Sequence, residues 1–148
     1  MANNRQDDLS LHMRIPAEKC FTNNALLTLD GICDHFCFTE PSRDRIKKAL
    51  EMALNGSIEL SYQKEPGLFD LQISIYKNKL MIMVEDYFLN DDKSSELKTN
   101  EDRVRNMLSP VEELTDGMSF TGKSGRIGCY SMSFDVSYME ENNVSVPS

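Results

Sequence analysis

Residues Ala49 to Tyr62, ALEMALNGSIELSY, carry two conflicting local instructions. The first half reads as helix, whereas Asn55-Gly56 followed by alternating apolar residues is the strongest short-range signal for a hairpin turn. The flanks decide between them. Ile46, Leu50, Ala53, Leu54, Ser57, Ile58 and Ser61 hold one helical stripe on both sides of the Asn-Gly pair, and Lys47-Lys48-Ala49-Leu50 lacks the period of two that a hairpin needs. The spacing therefore predicts a helix running through Gly56. Glycine costs such a helix about 1 kcal/mol relative to Ala, so the position is expected to serve something besides helix formation.

Working outward, Thr39 and Pro41 suit the start of this helix. Before it, Phe21, Ala25, Leu29, Ile32 and Phe36 recur at three- and four-residue steps within Ala17 to Phe38 and predict an amphipathic helix. Leu9 to Ile15 (LSLHMRI) alternates as a half-buried strand that Pro16 ends, with His12 an ordinary member of the alternation. After Glu65-Pro66-Gly67, the runs Leu68–Tyr76 and Lys79–Glu85 read as two strands joined across Lys77-Asn78 in an antiparallel hairpin. Residues 90–122 turn polar and broken, with one short helix expected around Val104 to Leu108. A segment of that length and composition reads as a lid or binding loop. A further helix is expected to start near Arg126, after three glycines, with Ser133–Tyr138 as a last strand and the final residues as an edge strand or frayed tail.

The chain of 148 residues has the size of one domain. With 40% hydrophobic and 27% charged residues it has a globular balance. No run approaches the roughly 18 apolar residues of a spanning helix, and MANNRQDDLS lacks a signal-peptide core, so a cytoplasmic protein without membrane contact is expected. A net charge of -8 without a basic patch argues against direct nucleic-acid binding. Cys20, Cys33, Cys37 and Cys129 form no CxxC pair. Cys33 and Cys37 would share a helix face, and reduced core packing is favoured there over a metal or redox site.

Two helices, a hairpin whose second strand ends in Asp86, a polar segment and then glycines make up an order that resembles the ATP-binding fold shared by histidine kinases, type II topoisomerases and their chaperone relatives (the GHKL superfamily). Within it, the stretches LTLDGICDHFCF, IKKALEMALNGSIELSY and LMIMVED most resemble the bacterial anti-sigma-factor serine kinases of the RsbW and SpoIIAB type. The likeness spans about Leu9 to Tyr138. It implies an α+β fold, a two-layer sandwich of a mixed, mainly antiparallel sheet with helices on one face, in a single domain over residues 1–148 with a lid-like segment at about 90–122.

The resemblance also assigns roles. Glu51 and Asn55 match the family's Glu-x-x-x-Asn, a spacing that puts both side chains on one helix face. By resemblance Asn55 is the Mg2+ ligand and Glu51 the general base for the attacking serine hydroxyl. Asp86 matches the acid that accepts a hydrogen bond from the adenine amino group. The family continues as Asp-x-Gly-x-Gly, whereas this chain reads Asp86-Tyr87-Phe88-Leu89-Asn90, without either glycine. Gly122, Gly125 and Gly128 are candidates for the loop that closes over phosphates at a helix amino terminus, or for an ordinary flexible turn. Lys123, Arg126, Arg103 and Arg105 are candidate phosphate contacts. The implied cofactors are ATP and Mg2+. The implied partners are a sigma factor, a STAS-type anti-sigma-factor antagonist that is phosphorylated, and a second copy in a homodimer. The alternative is a degenerate, non-catalytic member acting only as a protein-binding regulator.

Overall fold

The computed structural model describes residues 9–61, 66–88, 101–121 and 128–139. The elements run β1 (Leu9–Pro16), α1 (Lys19–Phe36), α2 (Glu40–Ser61), β2 (Gly67–Tyr76), β3 (Lys79–Phe88), α3 (Glu101–Glu112), β4 (Gly117–Thr121) and β5 (Gly128–Asp135). The five strands form one sheet in the order β1-β2-β3-β5-β4, and every described pairing is antiparallel. The fold is α+β as expected, but a mixed sheet is not found among these strands. None of the described helices is long and apolar enough to cross a membrane.

Period-two alternation places the apolar residues in rows that cross the whole sheet. Leu11 faces Ile73, then Ile82, Met132 and Met118; the next row is Met13, Leu71, Val84, Tyr130 and Phe120. Most of these side chains are fully buried. They form one floor of the core, closed from above by Ala25, Leu29, Ile32 and Phe36 of α1 and by Ile46, Leu50, Ala53, Leu54 and Ile58 of α2. The other sheet face carries polar residues such as His12, Arg14 and Gln72, all exposed.

Helix α2 runs unbroken through Asn55-Gly56, so the helical stripe prevailed over the turn signal. Helix α1 ends at Phe36 without glycine or proline. Cys37 takes the left-handed conformation (φ 60), and the Phe38 N–H then bonds back to the Cys33 carbonyl at 3.0 Å, a cap in which glycine is more usual. The β2–β3 hairpin turns at Lys77-Asn78 as expected, with Tyr76 opposite Lys79.

The last third differs from expectation. Around Val104–Leu108 stands a twelve-residue helix, α3, with Val104, Leu108 and Val111 buried. Gly117–Thr121 is an edge strand, which its length and flanking glycines concealed. Among the described residues no helix lies between β4 and β5: Gly128 already belongs to β5, which ends at Asp135, while Phe38 and Tyr138 make an isolated bridge. The reason lies in register. Tyr130, Met132 and Phe134 alternate and continue the rows begun by Val84, Ile82 and Leu80, so a strand buries them where a helix would have turned one of them to solvent.

Candidate functional site

The conflicted stretch of α2 proves to be a junction. Successive residues on a helix point about 100° apart, and Asn55, Gly56 and Ser57 accordingly meet three different elements. Asn55 faces α1, where its Oδ1 accepts a hydrogen bond from Thr22 Oγ1 at 3.1 Å. Gly56 faces α3: a Cβ built there would lie 2.5 Å from Met107 Sδ and 2.9 Å from Met107 Cγ. Ser57 faces β5, sharing a 3.3 Å hydrogen bond with the Tyr130 hydroxyl. The glycine therefore lets α3 approach α2. That contact accounts for a residue that lowers helix propensity.

Glu51 lies one turn before Asn55 and is exposed, while Asn55 is half-buried. Their carboxylate and amide thus sit at the rim of the helix layer, with one Oδ1 lone pair engaged by Thr22 and a second remaining. Thr22 itself is only 3% exposed.

Asp86 lies in the sheet below. It continues an apolar row, opposite Phe69 on one side and Gly128 on the other, and so turns to the buried, helix-covered face at 2% exposure. Burial pushes its carboxyl up to about 8, and its Oδ1 has no hydrogen-bond partner among the described residues. Burial likewise raises the neighbouring Tyr130 phenol, reinforced by the Asp86 charge and opposed by the Ser57 hydrogen bond. A buried, unpaired carboxyl oxygen is costly, and it fits a ligand that brings its own N–H donor, as the adenine amino group does. Gly128 adds no side chain on the neighbouring strand at this register.

The motif residues are brought together in part. Asp86 and Gly128 are register partners, and Glu51 and Asn55 share a helix face. Gly122 and Gly125 lie outside the described residues, as do Asn90, Lys123 and Arg126. Gly128 does not open a helix, so the expected helix amino terminus for phosphate is not built there. At the position of the first missing glycine the backbone of Phe88 continues β3, opposite Gly67. Arg105 stacks over the Phe120 ring at 4.8 Å and lines a cleft of about 120 Å³ with Leu108, Glu112, Met118 and Phe120. Cys33 is buried in the core, which raises its thiol pKa. No group of three or more His, Cys, Asp or Glu side chains converges among the described residues. A Mg2+ ion held through Asn55 would accordingly draw its remaining ligands from phosphate and water.

No family model matches the chain. Its sequence is similar to the serine-protein kinase RsbW of Oceanobacillus iheyensis. The two are 26% identical over 108 residues, covering 72% of this chain and 67% of that protein. This is a distant likeness, and it agrees with the resemblance carried by the Glu51, Asn55 and Asp86 motifs.

Sequence reasoning missed Thr22, Met107, Ser57 and Tyr130. Ser57 left a signal, a polar residue in the buried stripe of α2. Tyr130 left none while its segment was read as helix.

Proposed function

We propose that the chain is an anti-sigma factor and protein serine kinase, which binds a sigma factor and phosphorylates a STAS-type anti-sigma-factor antagonist using Mg-ATP in the cytoplasm. The observation that carries this reading is Asp86, a buried carboxyl with one oxygen unsatisfied among the described residues, at the position where the resembled family binds adenine. The distant likeness to a serine-protein kinase supports it.

In this reading Asp86 accepts the adenine N–H in a site from which water is largely excluded, where a hydrogen bond discriminates strongly because its loss leaves a buried group unpaired. Guanine lacks that donor. Asn55 offers Oδ1 to Mg2+. Glu51, which is exposed, takes in this reading the proton of a hydroxyl presented by a protein substrate. ATP supplies the phosphoryl group, and the metal offsets charge on it.

A second reading, a binding module without nucleotide chemistry, is favoured by two features. Phe88 continues a strand where the family has a glycine, and β5 stands where a helix was expected after the glycines.

Calorimetric titration of the full chain separates the two. Binding of Mg-ATP, with Mg-GTP at least tenfold weaker, is the expected result. Absence of binding at millimolar nucleotide would leave the binding-module reading. Given binding, Glu51→Ala is expected to abolish phosphotransfer to the antagonist while sigma-factor binding persists, and unchanged transfer would remove Glu51 from the base role.

A further inference from the structure

The hydroxyl of Thr22 and the amide of Asn55 form an uncharged polar contact between α1 and α2, in a layer joined also by apolar packing and by the ion pairs Lys19–Glu59, Asp30–Lys47 and Asp34–Arg43. Thr22 is 3% exposed, so water does not compete freely for its partner. The hydrogen bond occupies one lone pair of Asn55 Oδ1, the same atom that the nucleotide reading gives to the metal. A carbonyl oxygen can accept a donor on one lone pair and coordinate a cation on the other. Without a partner the terminal amide torsion is soft, and the carboxamide populates a broad range of orientations. A side chain fixed by a buried neighbour presents its oxygen with less ordering cost when the ion arrives, as partners behind metal ligands generally do.

We propose that Thr22 is a positioning residue, resting on the Mg-ATP reading above: its hydroxyl holds the Asn55 carboxamide across the α1–α2 contact, with Oδ1 fixed for Mg2+. The residue has no direct part in phosphoryl transfer. Thr22→Val keeps the shape of the side chain and removes the donor; Thr22→Ser keeps the donor and removes a methyl group.

The test is titration of the full-length protein with ATP at a series of Mg2+ concentrations and in EDTA, which separates the metal-dependent part of nucleotide binding from the rest. Thr22→Val is expected to weaken the apparent Mg2+ affinity about tenfold, with ATP affinity in EDTA within about twofold of the parent, and Thr22→Ser is expected to restore the Mg2+ dependence. A purely structural hydrogen bond would lower both affinities together, which overturns the proposal, as does an unchanged Mg2+ dependence. Thr22→Ala, checked by thermal melting, takes the place of the valine variant if that one fails to fold. Two outcomes separate this inference from the reading beneath it. If the parent shows no Mg2+-dependent ATP binding, the nucleotide reading fails and the inference falls with it. If the parent shows it and Asn55→Ala keeps it, nucleotide binding stands, and only the metal role of Asn55 and the positioning role of Thr22 are overturned.

Discussion

Two aspartates in the β2–β3 hairpin sit one step apart in register and have opposite surroundings. Asp70 pairs with Glu85 on the polar sheet face; Phe69, the residue before it, pairs with Asp86 on the buried face. Asp70 receives two hydrogen bonds from the Arg14 guanidinium, at 2.6 and 3.0 Å, and these hold its pKa below the ordinary carboxylate value. Asp86 has no such cation among the described residues, and burial pushes it to about 8. One carboxylate stabilises the sheet it belongs to. The other is carried at a cost.

The largest expected effect breaks the comparison at Asp86. In the unfolded chain its carboxyl ionises near pH 4, whereas in the fold it keeps its proton until about pH 8. Between those values the folded state holds a proton that the unfolded state has released, so this group makes stability fall as pH rises, with the full cost present above pH 8. Asp86→Asn should remove that slope and leave the variant more stable than the parent at pH 8.5, by a few kcal/mol at most in order of magnitude. Urea unfolding at pH 5 and pH 8.5 measures it. Equal slopes in parent and variant would mean that Asp86 is solvated or paired in solution.

The next effect concerns the α2–α3 contact. Gly56→Ala gains about 1 kcal/mol of helix propensity but drives a Cβ into Met107, both at Sδ and at Cγ. Because Met107 packs against the core, the expected net result is a loss of roughly 1 kcal/mol. In a Met107→Ala background the same substitution should become stabilising. A double-mutant cycle with coupling near zero would show that α3 does not rest on Gly56.

No larger is the effect at the hydroxyl pair. Tyr130→Phe leaves Ser57 without its described partner in a buried position and should cost about 1 kcal/mol, whereas adding Ser57→Ala should recover part of that loss, because neither polar group is then left unpaired. Thermal melts of the two single variants and the double variant test this.

These contrasts also explain what could be read from the sequence. The hairpin, β1 and the two long helices were legible because each buries one continuous periodic face, and periodicity is a local property. Gly56 was legible as an anomaly and not as a contact, since Met107 lies on another helix and no spacing rule connects them. β4 and β5 were misread for a related reason. Their alternation is short, bordered by glycines, and becomes decisive only when Tyr130, Met132 and Phe134 extend rows laid down by β3. Within the candidate site, Glu51, Asn55 and Asp86 were singled out by resemblance to a family's motifs, through their spacing and their place in the order of elements. Thr22 and Tyr130 act across long sequence separations and could not be found in that way.

The smallest expected effect sharpens the comparison from the Asp70 side. Its folded pKa is depressed, so the pair with Arg14 contributes stability above the unfolded carboxylate value and loses it as pH falls through the folded one. The slope therefore has the opposite sign from that of Asp86, and it lies on the acid side of pH 4. Arg14 is well exposed, with 63% of its side-chain surface open to solvent, and an ion pair with an exposed partner is weakened by screening and by the cost of fixing the long arginine chain. Asp70→Asn should accordingly lower the melting temperature only slightly at pH 7, and the difference should shrink in 1 M NaCl. A loss at Asp70 equal to or larger than the change at Asp86, or one indifferent to salt, would mean that Asp70 is held by more than its arginine, and the contrast between the two faces of the hairpin would then rest on packing instead of charge.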